Sequence, residues 1–361
     1  MSDNRSNPPA RHGAAAVLLA AALAVGTTGC SWLGGNRSSA ERPTEAVDAA
    51  DSRAERNPAE PPRRPGRNAN TSDLMKQAEQ ARAEGDAEEA IRLLAAAIER
   101  NPTLTVAHID IGDLYLEQGD PNSAEKHFGT AAQQQPSSFD AQFKHGYALQ
   151  LLNRLADAVR AYLRALSIQP DDYQANQNLA TAYLQLAEPG AALSYAQRAV
   201  ALRPTSGPAR ANLGSVLTSL DRHDEAVREY RAAAELMALT PQLLLNLSES
   251  LGKLDRHEEM ASTLDQLAQT DPSAQGLERL GYARFKLRQF NAARDAFQRA
   301  VSIDPTHYPA LNGLGVCLLN DYLASNRNLE DARRDALKLL RQSLRLNKNQ
   351  PKIFELVNRY D

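Results

Sequence analysis

Pro102, Pro136, Pro170 and Pro204 stand 34 residues apart, and no other feature of this 361-residue chain constrains its fold so tightly. Ala90, Ala124, Ala158, Ala192 and Ala226 keep the same step, as do Ala97, Ala131, Ala165, Ala199 and Ala233. A fourth series of small residues, Ala78, Gly112, Gly146, Ala180, Gly214 and Ser248, runs in the same register. Four series with one period describe one structural unit copied along the chain. A conventional chain of this length would hold two domains, whereas a repeat array forms one elongated stack in which each unit needs its neighbours.

Within the unit the spacing predicts two helices. In "AHIDIGDLYLEQGDPNSAEKHFGTAAQQQP", Ile109, Ile111, Leu114, Tyr115 and Leu116 recur at helical spacing, and Gly119 suits the left-handed residue that ends a helix. Pro121 fits the first turn of the next helix, whose Ala124, Phe128 and Ala131 share one face. Gly112 and Ala124 remove bulk where the two helices cross, Phe128 fills the adjacent hollow, and Ala131 admits the following unit. Pro136 then turns the chain. Aromatic residues are only 5% of the sequence, so the core is expected to rest on many small contacts between closely approaching helices.

These residues resemble the tetratricopeptide repeat family, whose 34-residue helix-turn-helix unit carries small residues and a terminal proline in this order. The resemblance implies an all-α, right-handed superhelical solenoid of about eight repeats over residues 71–349, with residues 350–361 as a capping helix built on Ile353, Phe354 and Val357. Some units depart from the pattern. Ala238 replaces the turn proline, Met260 and Leu267 occupy small slots, and Pro272 to Pro305 is one residue short, so the sixth unit is expected to be the loosest joint. In the last unit Ala336 comes about nine residues late, and "NDYLASNRNLEDARRD" makes either a longer helix or a loop.

The beginning of the chain carries a different signal. Arg5, Arg11 and His12 precede an apolar run from Ala14 to Val25, then small residues lead to Cys30. The run is too short to cross a bilayer as a helix, which takes about 20 residues. A basic end, a short apolar run and small residues make an export signal over 1–29. It is similar to a bacterial lipoprotein signal peptide, with Thr28, Gly29 and Cys30 matching the end of the lipobox and Thr27 standing where a leucine-like residue is usual. That resemblance implies acylation of Cys30, palmitate included, and membrane anchoring through several acyl chains. Ser31 in place of a retention-type Asp implies the outer membrane. Two other readings stay open: Ala22 and Ala24 form an A-x-A pattern that would release a soluble protein, or the run has no export role. Residues 30–70, rich in Pro, Gly, Ser and alternating charge, bury too little to order themselves and read as a tether of about 35 Å reach.

Chemistry is sparse. The seven histidines are scattered, "HEEM" at His257 lacks the second His of a zinc-protease helix, and no phosphate loop or nucleophile elbow occurs. No catalytic residue, metal site or cofactor is expected. A formal charge of −3, from 41 basic and 44 acidic residues, supplies no field for nucleic acid.

Recognition is a better candidate. Asn178, Asn212 and Asn246 recur at one slot of the first helix, which by the resemblance lines a concave groove. Their amides both donate and accept, so in line they would hold an extended peptide backbone. Lys76, Asp110, Lys144 and Arg279 share the slot, and Lys144 is a further peptide-binding candidate. Phe143, Tyr147, Tyr282 and Phe285 are candidate apolar pockets, with packing inside the stack as the alternative for each. The expectation is a non-enzymatic scaffold, lipid-anchored in the cell envelope, that binds peptides or proteins and serves the assembly of an envelope machine. The alternative is a soluble adaptor, exported or cytosolic, with the same groove.

Overall fold

The computed structural model describes residues 70–361. The expected signal, Cys30 and nearly all of the tether lie outside the described residues. The described residues form two units, 70–203 and 204–361.

The first unit holds four helix pairs: α1 (Thr71–Ala83) with α2 (Ala87–Arg100), α3 (Thr105–Glu117) with α4 (Pro121–Gln134), α5 (Phe139–Leu151) with α6 (Leu155–Ile168), and α7 (Tyr173–Gln185) with α8 (Pro189–Leu202). The second holds α9 (Gly207–Ser219) with α10 (His223–Leu236), α11 (Pro241–Lys253) with α12 (His257–Thr270), α13 (Ala274–Lys286) with α14 (Phe290–Ile303), α15 (Tyr308–Ala324) with α16 (Glu330–Leu346), and the single helix α17 (Pro351–Tyr360). Within each unit consecutive helices pack on one another, and no strand occurs among the described residues.

Two local devices set the helix ends. Asn70, Ser138, Asp172, Ser206, Thr240 and Ser273 each accept a backbone N–H at the start of a first helix, satisfying a donor that the helix itself cannot. Between first and second helices of the first seven pairs one residue adopts positive φ, Gly85 and Gly119 but also Asn153, Ala187, Asp221, Asp255 and Arg288, and in the last pair two do, Asn326 and Arg327. The hairpin is therefore tight enough to force side-chain-bearing residues into the left-handed region.

The core follows the small-residue series. A Cβ at Gly112 would lie 2.5 Å from Phe128 Cε1, and one at Gly146 would lie 2.8 Å from Tyr162 Cδ1. In the second unit a Cβ at Gly214 would lie 2.6 Å from Tyr230 Cε1 and one at Gly281 2.7 Å from Phe297 Cε1, and Gly313 also approaches Phe297. Where the slot holds Ala78, Ala180 or Ser248, the residue sixteen positions on is Leu94, Ala196 or Leu264. Bulk is thus exchanged across most of these crossings, an aromatic ring against glycine and leucine against Ala78 or Ser248, while Ala180 against Ala196 leaves both sides small.

The sixth pair is packed by compensation and is not left loose. Met260 and Leu267 are both buried, and each sits against a glycine: a Cβ at Gly252 would lie 3.1 Å from Met260 Sδ, and one at Gly276 would lie 3.0 Å from Leu267 Cδ2. In the last pair the extra residues lengthen both helices, to 17 residues each, and leave only a short turn at 325–329. Ala336 and Leu340 are buried there, with Leu340 against Gly315. Along α17, Ile353, Leu356 and Val357 turn inward, whereas Phe354 is 59% exposed and takes no part in the cap.

Candidate peptide-binding surfaces

In the first unit the recurrent slot is already engaged. Lys144 Nζ donates to Asp113 Oδ2 at 2.6 Å and lies 3.6 Å from Asp140, so its charge is neutralised within the protein. Asp110 is held above the usual carboxylate range by burial and by the neighbouring Asp113, against the opposing pull of Arg82 and Lys144. Arg82 in turn pairs with Glu117.

Two of the asparagines, Asn178 and Asn246, bond a tyrosine of the preceding repeat. Asn178 hydrogen-bonds the hydroxyl of Tyr162, which also donates to Gln150 Oε1 at 2.9 Å. Burial pushes that phenol far above its ordinary range, so it remains a neutral hydroxyl that needs partners. The second unit repeats the arrangement. Asn246 hydrogen-bonds Tyr230, whose hydroxyl lies 3.2 Å from Thr218 Oγ1 and 3.3 Å from Ser215 Oγ. Asn246 also donates to Ser215 Oγ at 3.4 Å and accepts from Gln242 Nε2 at 2.6 Å. All three asparagines, Asn212 included, are half-buried.

The aromatic candidates divide. Tyr147 is 41% exposed and available to a partner. Phe143 is stacked on Phe139, with centroids 5.7 Å apart, and tilts against Tyr162, which makes it mainly a packing residue. Phe285 is 3% exposed and lies edge-on to Phe290 at 5.2 Å. The expectation that Phe285 lines a pocket is thereby corrected: its place on α13 faces the following helix.

Tyr282 alone of these residues enters a cleft. It stands edge-on to His257 at 5.9 Å and borders a hollow of about 700 Å³ in the second unit, formed by α11, Met260 of α12, α13 and the segment entering α15. Arg279 lines the hollow but is committed, donating to the Leu245 carbonyl at 2.8 Å and to Glu249 at 3.3 Å. Glu278, which sequence reasoning missed, is pushed up to about 7 by burial, partly offset by Arg279. A partial signal existed, because its slot holds Met75, Ile109, Phe143, Ala211 and Leu245 in other repeats, although Gln177 and Asn312 occupy it too. His307, also lining the hollow, is held below the usual imidazole range by burial.

Elsewhere, His108 and His127 bring their Nδ1 atoms within 3.2 Å, and burial lowers both. Among the described residues no three His, Cys, Asp or Glu side chains gather as a metal site. Cys317 is buried, and burial with the nearby Asp321 raises its thiol to about 12. No helix among the described residues is long and apolar enough to cross a membrane.

Family models described as tetratricopeptide repeat match residues 81–149, 139–172, 178–243 and 274–307. A tetratricopeptide repeat-containing protein of Caenorhabditis elegans, trd-1, is 32% identical over 79 residues, which are 22% of this chain and 10% of that protein. The chain thus matches about a tenth of the length of that curated relative. Among solved structures, a tetratricopeptide repeat protein from Parabacteroides merdae is 15% identical, with 69% of this chain and 98% of that chain covered and a TM-score of 0.50. Pseudomonas aeruginosa pilF is 19% identical, with 56% and 92% covered and a TM-score of 0.48. These likenesses concern the fold.

Proposed function

The chain belongs to the tetratricopeptide repeat family, and from that premise we propose that it is a non-enzymatic scaffold holding protein or peptide partners against its first helices. The observation that carries this reading is the contrast within those helices. Their small and apolar slots are consumed by packing, while Tyr147 in the first unit and the open hollow beside Tyr282 in the second remain accessible. Exposed aromatics and a preformed hollow are where binding energy concentrates in protein recognition.

The proposal includes a lipid anchor on Cys30, with the repeats outside the cytoplasmic membrane and the scaffold serving assembly of an envelope machine. The order of basic end, apolar run, small residues and Cys30 supports it. Several acyl chains give lasting attachment where one would not. Intact-mass analysis of the mature amino-terminal peptide, with membrane fractionation of wild type and Cys30→Ala, tests the anchor. Lipid mass on Cys30 and loss of the variant from membranes are expected. An unmodified soluble product starting near Val25 would replace this reading with that of an exported soluble adaptor.

A further inference from the structure

We propose that the hollow between α11, α13 and the segment entering α15 receives a cationic side chain, the ammonium of lysine or the guanidinium of arginine, from the partner held by the scaffold. The inference rests on the scaffold reading and adds the chemistry that one part of the surface selects.

Glu278 lines the hollow and, among the described residues, makes no hydrogen bond and no ion pair. Glu278 is half-buried and its carboxylate faces the hollow without a partner among the described residues, so a cation entering the space would form an ion pair that none of them supplies. The nearest intrinsic cation is already taken, since Arg279 is bound to Glu249 and the Leu245 carbonyl. Two aromatic rings, Tyr282 and Tyr308, line the same space; Lys286 Nζ already stands 5.8 Å from the centre of the Tyr282 ring, which leaves Tyr308 to flank a cationic head and its alkyl stem. His307 lines it too, with its Nε2 buried and without a hydrogen-bond partner among the described residues.

The groups facing Glu278 are of mixed charge. From α11 come Glu249 and Lys253, from α12 His257 against Tyr282, and from the segment entering α15 Asp304, His307 and Tyr308; on its own helix are Arg279, Tyr282 and Lys286. Asp304 is satisfied by Thr306. Lys253 is exposed and forms no ion pair among the described residues, which makes it an internal competitor for the site alongside Lys286 over the Tyr282 ring. Because burial holds Glu278 near 7, its proton must leave when a cation binds, and apparent affinity should rise about tenfold between pH 6 and pH 8.

The test uses the full chain with carbon-13-labelled glutamate side chains, titrated with n-butylammonium and n-butylguanidinium, with n-butanol as the uncharged control. In wild type one carboxyl resonance, absent from Glu278→Gln, should titrate near 7 and fall below 6 when either cation saturates. Butanol should leave it in place. In Lys253→Met the cations should bind at least as well. An unmoved resonance, or an equal response to butanol, would overturn the proposal. So would a wild-type Glu278 titrating near 4.5 that rises toward 7 only in Lys253→Met, because Lys253 would then be the occupant. Failure here leaves the scaffold reading standing, since no protein partner enters the experiment.

Discussion

The hydroxyl of Tyr162, buried on α6, is hydrogen-bonded by Asn178 on the following helix. The same spacing joins Tyr230 to Asn246 in the second unit. Asn178 and Asn246 therefore each satisfy a tyrosine of the preceding repeat, whereas the residue sixteen before Asn212 is Ala196. Asn178→Ala should cost about 1 kcal/mol, and most of that cost should vanish in a Tyr162→Phe background. Chemical denaturation of the four members of the cycle measures the coupling. It also changes how the asparagine series is tested, since replacing all three with Ala would weaken the stack together with any bound peptide.

Gly146 precedes Tyr162 by the same sixteen residues and leaves no room for a methyl group. Gly146→Ala should destabilise the chain by about 1–3 kcal/mol, because the ring is fully buried and cannot retreat. Tyr162→Leu in the same chain should recover part of the loss by recreating the Ala78 and Leu94 combination of the first repeat. Thermal unfolding of the single and double variants decides it.

Ala187 is held at φ 58 in the turn between α7 and α8. Glycine pays no steric penalty there, although it gives up more chain entropy on folding. The balance favours Ala187→Gly by about 0.5–1 kcal/mol. The reverse change in the equivalent turn, Gly119→Ala, should cost about 1 kcal/mol, both read from denaturant midpoints.

His108 and His127 are neutral and below their ordinary range in the folded protein, while the unfolded chain protonates near 6.5. Below that pH the unfolded state binds more protons, so this pair's contribution to stability is intact above 6.5 and falls as pH drops toward the folded values. Lys126 adds to the depression at His127. Melting curves between pH 7.5 and 5 should show the loss, and His108→Gln with His127→Gln should flatten it.

Much of this was legible in the sequence because packing repeats. Ala124, Phe128 and Ala131 are buried in the roles their spacing implied, and Gly112 faces Phe128. Features that depend on a single environment were not legible. The period fixes where Lys144 sits, but Asp113 and Asp140 decide that its charge is spent internally. Phe285 and Tyr282 lie three residues apart on one helix, and the neighbours of that helix alone decide which is buried. Glu278 escaped notice because carboxylates on helices usually face water. The compensation of Met260 and Leu267 by Gly252 and Gly276 likewise joins residues outside the main series.

Site-specific photo-crosslinking in cells tests the scaffold reading most directly. Benzoylphenylalanine would replace Tyr147 on a first helix or Leu163 on a second helix, two exposed positions in the same pair. Discrete protein adducts from position 147, with none from position 163, are the predicted result. The same adducts from both positions, or none from 147 in chains that fold normally, would contradict a binding surface on the first helices.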